Sequence, residues 1–98
     1  MRVRLNREVY SDIRSIMEYY VRETDLRIAT DFYKEFRRCI RVISQSPQAY
    51  PVLRNDVRRM NLRRFSYHIM YQIIDQESVK VLVVKHNRRN PEFGSERK

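Results

Sequence analysis

Residues 61–86 read NLRRFSYHIMYQIIDQESVKVLVVKH, and their patterning decides the fold. Ile69, Tyr71 and Ile73 recur at every second position across 67–74, the mark of a strand with one buried face. Residues 79–84 are almost continuously apolar, with Val79, Val81, Leu82, Val83 and Val84, as expected of a central strand covered on both faces. Asp75-Gln76-Glu77-Ser78 supplies a polar turn between them. An arginine-rich run at 57–65 precedes them and reads as a further strand. Three consecutive strands at the C-terminal side therefore anchor the architecture.

Toward the N-terminus, Pro47, Pro51, Asn55 and Asp56 mark 47–56 as a connecting loop. Upstream of it the periodicity changes from two to about 3.6. Ile28, Ala29, Phe32, Phe36, Cys39, Ile40 and Ile43 form one apolar helical stripe, capped by Thr24-Asp25 and stopped by Pro47, which disfavours helical geometry at Ser46. Val9, Ile13, Ile16, Met17 and Tyr20 form another, from about 7 to 23, with Asn6 as its N-cap. The link between the helices is a few residues, so they pack as an antiparallel hairpin closed by Tyr20, with Tyr33 as a second candidate. Arg2, Val3, Arg4 and Leu5 alternate and predict a short first strand that joins the later three. The order is β-α-α-β-β-β: an α+β domain with the hairpin on one face of a mostly antiparallel sheet of about four strands. Residues 85–98 carry no periodic apolar pattern and read as a basic tail that orders on binding, with Pro91 and Gly94 opposing a long helix.

Ninety-eight residues form one domain, 1–98. The net charge of +9 rests on 21 cations, 17 of them arginine, against 12 acids. Arginine's planar fork fits phosphates and carboxylates, so a polyanionic or acidic partner is expected. A single glycine excludes a glycine-rich phosphate loop. Two histidines 18 positions apart give no zinc spacing, and Cys39 is the single cysteine, placed in an apolar helical register where it reads as a small core residue. No nucleophile elbow is present. No metal, cofactor or small-molecule substrate is expected. With no apolar run of signal-peptide or membrane-spanning length, the expectation is a cytoplasmic protein without a membrane partner.

The phrase NLRRFSYHIMYQIID (61–75) followed by VKVLVVKHNRRNPEFGSERK (79–98), after a helical hairpin ending at Ser46-Pro47, resembles the RelE/ParE superfamily of toxins from type II toxin–antitoxin systems, closer to its ParE-like branch. The resemblance covers nearly the whole chain. It implies growth inhibition, a plasmid-stabilization type of role, and a small cognate antitoxin. Two targets stay open. ParE-like members inhibit DNA gyrase, whereas RelE-like members cut messenger RNA on the ribosome. A plain nucleic-acid-binding module, or a chain that keeps only its antitoxin contact, are further readings.

Metal-independent RNA cleavage needs a base, an acid and cations around one phosphate. If the chain is an RNase, Arg59, Arg63, His86 and Arg88 are the candidates, with His86 a neutral base or else a strand-end histidine held by hydrogen bonds. Against the RelE pattern, Asn61 falls where a second strand lysine is expected, Asn87 near the C-terminal arginine and Phe93 near the tyrosine. Phe93 cannot exchange a proton. These departures favour a non-enzymatic inhibitor. Arg59, Arg63, Arg64, Arg88 and Arg89 are then expected to bind the target. Lys34, Arg37, Arg38 and Arg41, a stripe on the second helix, are expected to meet the antitoxin. His68 is expected to point away from Ile69 and Tyr71, in a structural or solvent-facing role.

Overall fold

The computed structural model describes residues 1–97. Strand β1 (Arg2–Leu5) leads into helix α1 (Arg7–Glu23), where the Asn6 side chain accepts from the Glu8 N–H at 2.9 Å and so satisfies one of the free donors of the first turn. Thr24 and Asp25 make the link, and Asp25 accepts from the Ile28 N–H at 3.1 Å to start helix α2 (Leu26–Gln45). Val9, Ile13 and Ile16 of α1 and Phe32, Phe36, Cys39 and Ile43 of α2 are buried, as their spacing predicts. Pro47 opens a single 3-10 turn, after which come β2 (Val52–Arg54), β3 (Val57–Asn61), β4 (Tyr67–Ile73) and β5 (Ser78–His86).

The sheet order is β1-β5-β4-β3-β2, with β1 parallel to β5 and every other pair antiparallel. The helices lie against one face, and the main core joins them to Ile69, Tyr71, Val79, Val81 and Val84. The fold is thus the α+β arrangement expected, with β5 second from the edge of the sheet, between β1 and β4, and deeply buried. Burial of the Tyr71 phenol pushes its pKa up to about 12, and the hydroxyl donates to the Pro47 carbonyl at 2.6 Å, tying the sheet to the end of α2.

Four local differences matter for the site. The 47–56 segment, expected to be loop, contains β2, so the sheet has five strands among the described residues. Asn55 and Asp56, with φ of 52° and 62°, form the tight turn that joins β2 to β3, a conformation that asparagine and aspartate tolerate better than most residues. Strand β3 ends at Asn61 rather than Phe65, because Arg64 takes a φ of 72° and Leu62 and Phe65 turn into the helix-side core. A bulge interrupts the β4–β5 ladder: Met70 pairs with Val83 and Tyr71 with Val81, leaving Leu82 as the extra residue.

The tail is the fourth difference. Lys85 and His86 belong to β5, and 87–97 fold back over the sheet instead of waiting for a partner (Lys98 lies outside the described residues). Phe93 packs on Val57, Met70, Leu82 and Val83, a second small core on the face away from the helices. Gly94, at φ 84°, lies so near Val83 that a Cβ there would stand 2.5 Å from the Val83 Cβ. That approach and that φ both require glycine.

Candidate functional site

Residues directly opposite one another on antiparallel strands share a face of the sheet. Arg59 lies opposite Met70, Asn61 opposite His68, and His68 opposite Lys85. All therefore stand on the face away from the helices, with the second core. The His68 Nδ1 is 2.8 Å from the Asn87 Oδ1. Arg59 donates through Nε to the Asn61 Oδ1 at 2.9 Å and through Nη2 to the same Asn87 oxygen at 3.5 Å. A guanidinium can only donate, so the Asn87 atom facing it is oxygen and the His68 proton sits on Nδ1. Burial, with the positive charges of Arg59 and Lys85 adding to it, pulls the His68 pKa down to about 4 against the Asn87 hydrogen bond, leaving a neutral, weakly basic ring.

Lys85 is 4% exposed, and its ammonium donates to three carbonyls of the folded-back tail: Asn90 at 3.0 Å, Pro91 at 2.7 Å and Phe93 at 2.7 Å. Its three donors are all used. Burial lowers its pKa, and the carbonyl cage carries the charge in place of water.

His86 has the opposite orientation. It pairs with Tyr67, whose ring belongs to the helix-side core, and stands edge-on to it at 5.2 Å. Its Nδ1 accepts from the Arg88 N–H at 3.1 Å. Arg88 and Arg89 are exposed on the turn that follows, with the Arg89 guanidinium 3.9 Å from the centre of the Phe93 ring. Beyond Val81, β1 no longer covers the edge of β5. There the Val84 N–H donates to Asp12 Oδ2 at 3.1 Å, and Arg97 donates to the Leu82 carbonyl. Arg97 also holds Asp12 at 2.7 Å and Glu8 at 2.7 Å, fixing the tail to α1. A groove of about 440 Å³ opens beside this edge, lined by Tyr19, Tyr67, His86, Arg89 and Phe93 among others.

Arg63 and Arg64 lie elsewhere, in the 62–66 loop against α2. The Arg63 N–H donates to Glu35 Oε2 at 2.7 Å, and Arg64 pairs with Asp31 at 3.0 Å. Lys34, Arg38 and Arg41 border the same groove, while Arg37 faces a different one, between α1, α2 and β1, with Tyr10, Tyr33 and Ile40. The outer face of α1 continues that second groove with Tyr10, Met17 and Val21, where Tyr10 is 61% and Val21 48% exposed.

The structure brings Arg59 beside Asn87 and hence near Arg88 and Arg89. It separates them from Arg63 and Arg64, and it sets His86 on the other face of the sheet from Arg59. His68, read from sequence as structural or solvent-facing, is 3% exposed and hydrogen-bonded at the centre of the cluster. Asn87, Lys85 and the Asp12–Arg97 pair were not singled out as organising residues. The one sequence signal for them was a lysine ending an apolar strand. Among the described residues, no group of three or more His, Cys, Asp or Glu side chains is arranged to hold a metal, and no helix is long and apolar enough to cross a membrane.

The family model for the ParE toxin of type II toxin–antitoxin systems, parDE, matches residues 3–91. A solved structure described as a chromosomal ParDE TA system from P. aeruginosa is similar in fold, with a TM-score of 0.76 at 17% identity, over 88% of this chain and 95% of that chain. No curated protein sequence matches the chain.

Proposed function

This chain belongs to the ParE toxin family of type II toxin–antitoxin systems, and from that premise we propose that it inhibits DNA gyrase by binding, without hydrolysis, and is neutralised by a cognate antitoxin. The observation that carries the non-hydrolytic part is the scattering of the four RNase candidates. Arg59 is on one face of the sheet, His86 on the other, Arg63 is in a loop whose backbone N–H at that residue is bonded to Glu35 of α2, and Arg88 is on an exposed turn. General acid–base cleavage needs its groups within hydrogen-bond reach of one phosphate. The target-facing residues in this reading are Arg59, Arg88 and Arg89.

The antitoxin docks on the apolar stripe of α1 and the neighbouring groove. Tyr10, Met17, Val21 and Tyr33 offer area that an amphipathic segment buries as it folds, and Arg14, Arg22 and Arg37 at the margins favour acidic residues on that segment. The cytoplasm, where gyrase works, is the expected compartment.

The test pairs two assays on the purified protein. A supercoiling assay with gyrase is expected to show inhibition that the cognate antitoxin relieves. Translating ribosomes with a defined message, mapped for 5′ ends, are expected to show no new cuts. Ribosome-dependent cuts lost on Arg59→Ala with intact supercoiling would reverse the assignment in favour of a RelE-like endoribonuclease.

A further inference from the structure

We propose that the groove between α2 and the 62–66 loop is a docking face for a nucleic-acid phosphate backbone, contacted by Lys34, Arg41 and Arg63. The inference does not depend on which enzyme the toxin inhibits. Five cations border this groove, Lys34, Arg38, Arg41, Arg63 and Arg64, against two acids, Asp31 and Glu35. The acids are already engaged. Glu35 holds Arg38 through both oxygens, at 2.7 and 2.8 Å, and Asp31 holds Arg64. Among the described residues, no ion pair joins Lys34, Arg41 or Arg63 to a carboxylate, and all three are exposed.

The framework beneath them is built rather than incidental. Glu35 is a hub: besides Arg38 it accepts the Arg63 N–H at 2.7 Å and the Cys39 thiol at 3.6 Å. The hydrogen bond from Arg38, the strongest influence, lowers the pKa of the Glu35 carboxyl and so favours the charged form that makes the tie. Arg64 adopts a φ of 72°, which turns the loop so that Phe65 enters the core while Arg63 stays outside beside α2. Lys34 and Arg41 are seven residues apart on one helix, about 10.5 Å along its axis. Along a duplex axis that span corresponds to about three steps of roughly 3.4 Å of rise per strand.

The chemistry of the groove selects among polyanions. The large exposed hydrophobic residues are Met1, Tyr10, Tyr19, Val21, Leu26, Tyr33, Val52, Leu53 and Ile74, and none of them lines it. An acidic peptide that folds on binding needs apolar area to offset the entropy of its ordering. A phosphate backbone needs none, because counterion release drives its binding. A charged groove without an apolar anchor therefore fits nucleic acid better than an acidic protein, whereas α1 has the opposite character.

The test uses the full-length protein and a fluorescent duplex DNA of arbitrary sequence, with binding followed by anisotropy over a salt series. Three phosphate contacts contribute about 2.7 to the slope of log K against log salt, or roughly 40-fold in affinity between 50 and 200 mM. The triple variant Lys34→Gln/Arg41→Gln/Arg63→Gln is expected to lose that slope, and Arg63→Gln alone about 0.9 of it. Arg2→Gln/Arg7→Gln/Arg27→Gln removes the same charge from β1, α1 and the start of α2 and is expected to leave the slope near wild type. Equal losses in both triples would reduce the effect to net charge and overturn the proposal. So would an unchanged slope in the first triple. Polyglutamate that displaces the duplex at equal charge concentration would assign the groove to an acidic protein instead.

Discussion

Acidification should weaken this protein through His68 in particular. An ordinary histidine titrates near 6.5, and burial holds this one at about 4. Between those values the unfolded chain carries a proton that the folded chain rejects, so stability falls as the pH drops from 6.5 toward 4 and the loss is complete below it. The gap is about 2.5 pH units, and at about 1.4 kcal/mol per unit it amounts to about 3.5 kcal/mol, of which about 3 kcal/mol is lost by pH 4. That is a large share of the roughly 5–15 kcal/mol that holds a domain together. The other side of the comparison is His68→Asn, whose amide keeps a donor near the Nδ1 position but does not titrate. Its cost in packing is independent of pH. Carboxylates, Glu35 among them, titrate in both proteins and cancel in the difference. Urea unfolding of both proteins at intervals from about pH 7.5 to pH 4 should show the gap between them closing on the acid side by about 3 kcal/mol. Two parallel stability curves would mean that His68 takes up its proton as readily in the folded protein as in the unfolded chain, and the account of the buried cluster would fail.

Gly94→Ala should cost about 2–4 kcal/mol in urea unfolding, from a left-handed φ and a Cβ driven into Val83; a change below about 0.5 kcal/mol would show that the tail is not docked as described. Asp12→Ala removes the partner of Arg97 and the acceptor of the Val84 N–H, so a loss of about 2–4 kcal/mol is expected, with faster amide exchange across 90–97. Unchanged exchange would mean that another contact carries the tail. Arg88→Ala should weaken gyrase inhibition about tenfold and leave the urea midpoint within about 0.5 kcal/mol, since its side chain is exposed; full inhibition would remove Arg88 from the target face.

The helices were legible because their signals are local. Asn6 and Asp25 cap them, and the 3.6-residue stripes mark their buried sides. Strand β2 was not, since all three of its residues are exposed and only its partner β3 defines it. The early end of β3 was hidden for the opposite reason: Leu62 and Phe65 are buried from a loop and imitate a continuing strand. Non-local packing concealed most of the site. The bulge at Leu82 reverses the alternation within β5, so Val79 and Val81 share the helix face with Val84 while Val83 and Lys85 turn away. An apolar run without alternation gives no hint of that reversal. Yet it decides that Lys85 joins His68 and that His86 does not. The burial of His68 depended on the tail folding back, and a polar, basic segment advertises no such contact.

The reversal also bears on what the far face can do to a phosphate. Stabilising a phosphorane requires donors that are free to meet it, and protonating a leaving oxygen requires an acid that holds a proton at the working pH. His68 gives its one proton to Asn87 and is neutral well below pH 7. Lys85 spends its three donors on carbonyls of its own tail. Arg59 keeps donor capacity but is steered by Asn61 and Asn87, the two asparagines that stand where cations were expected. The groups that could have formed a hydrolytic centre are instead hydrogen-bonded to one another and to the tail. In the proposed reading this surface presents a preorganised shape with a rim of arginines to its target, which lowers the cost of ordering on binding.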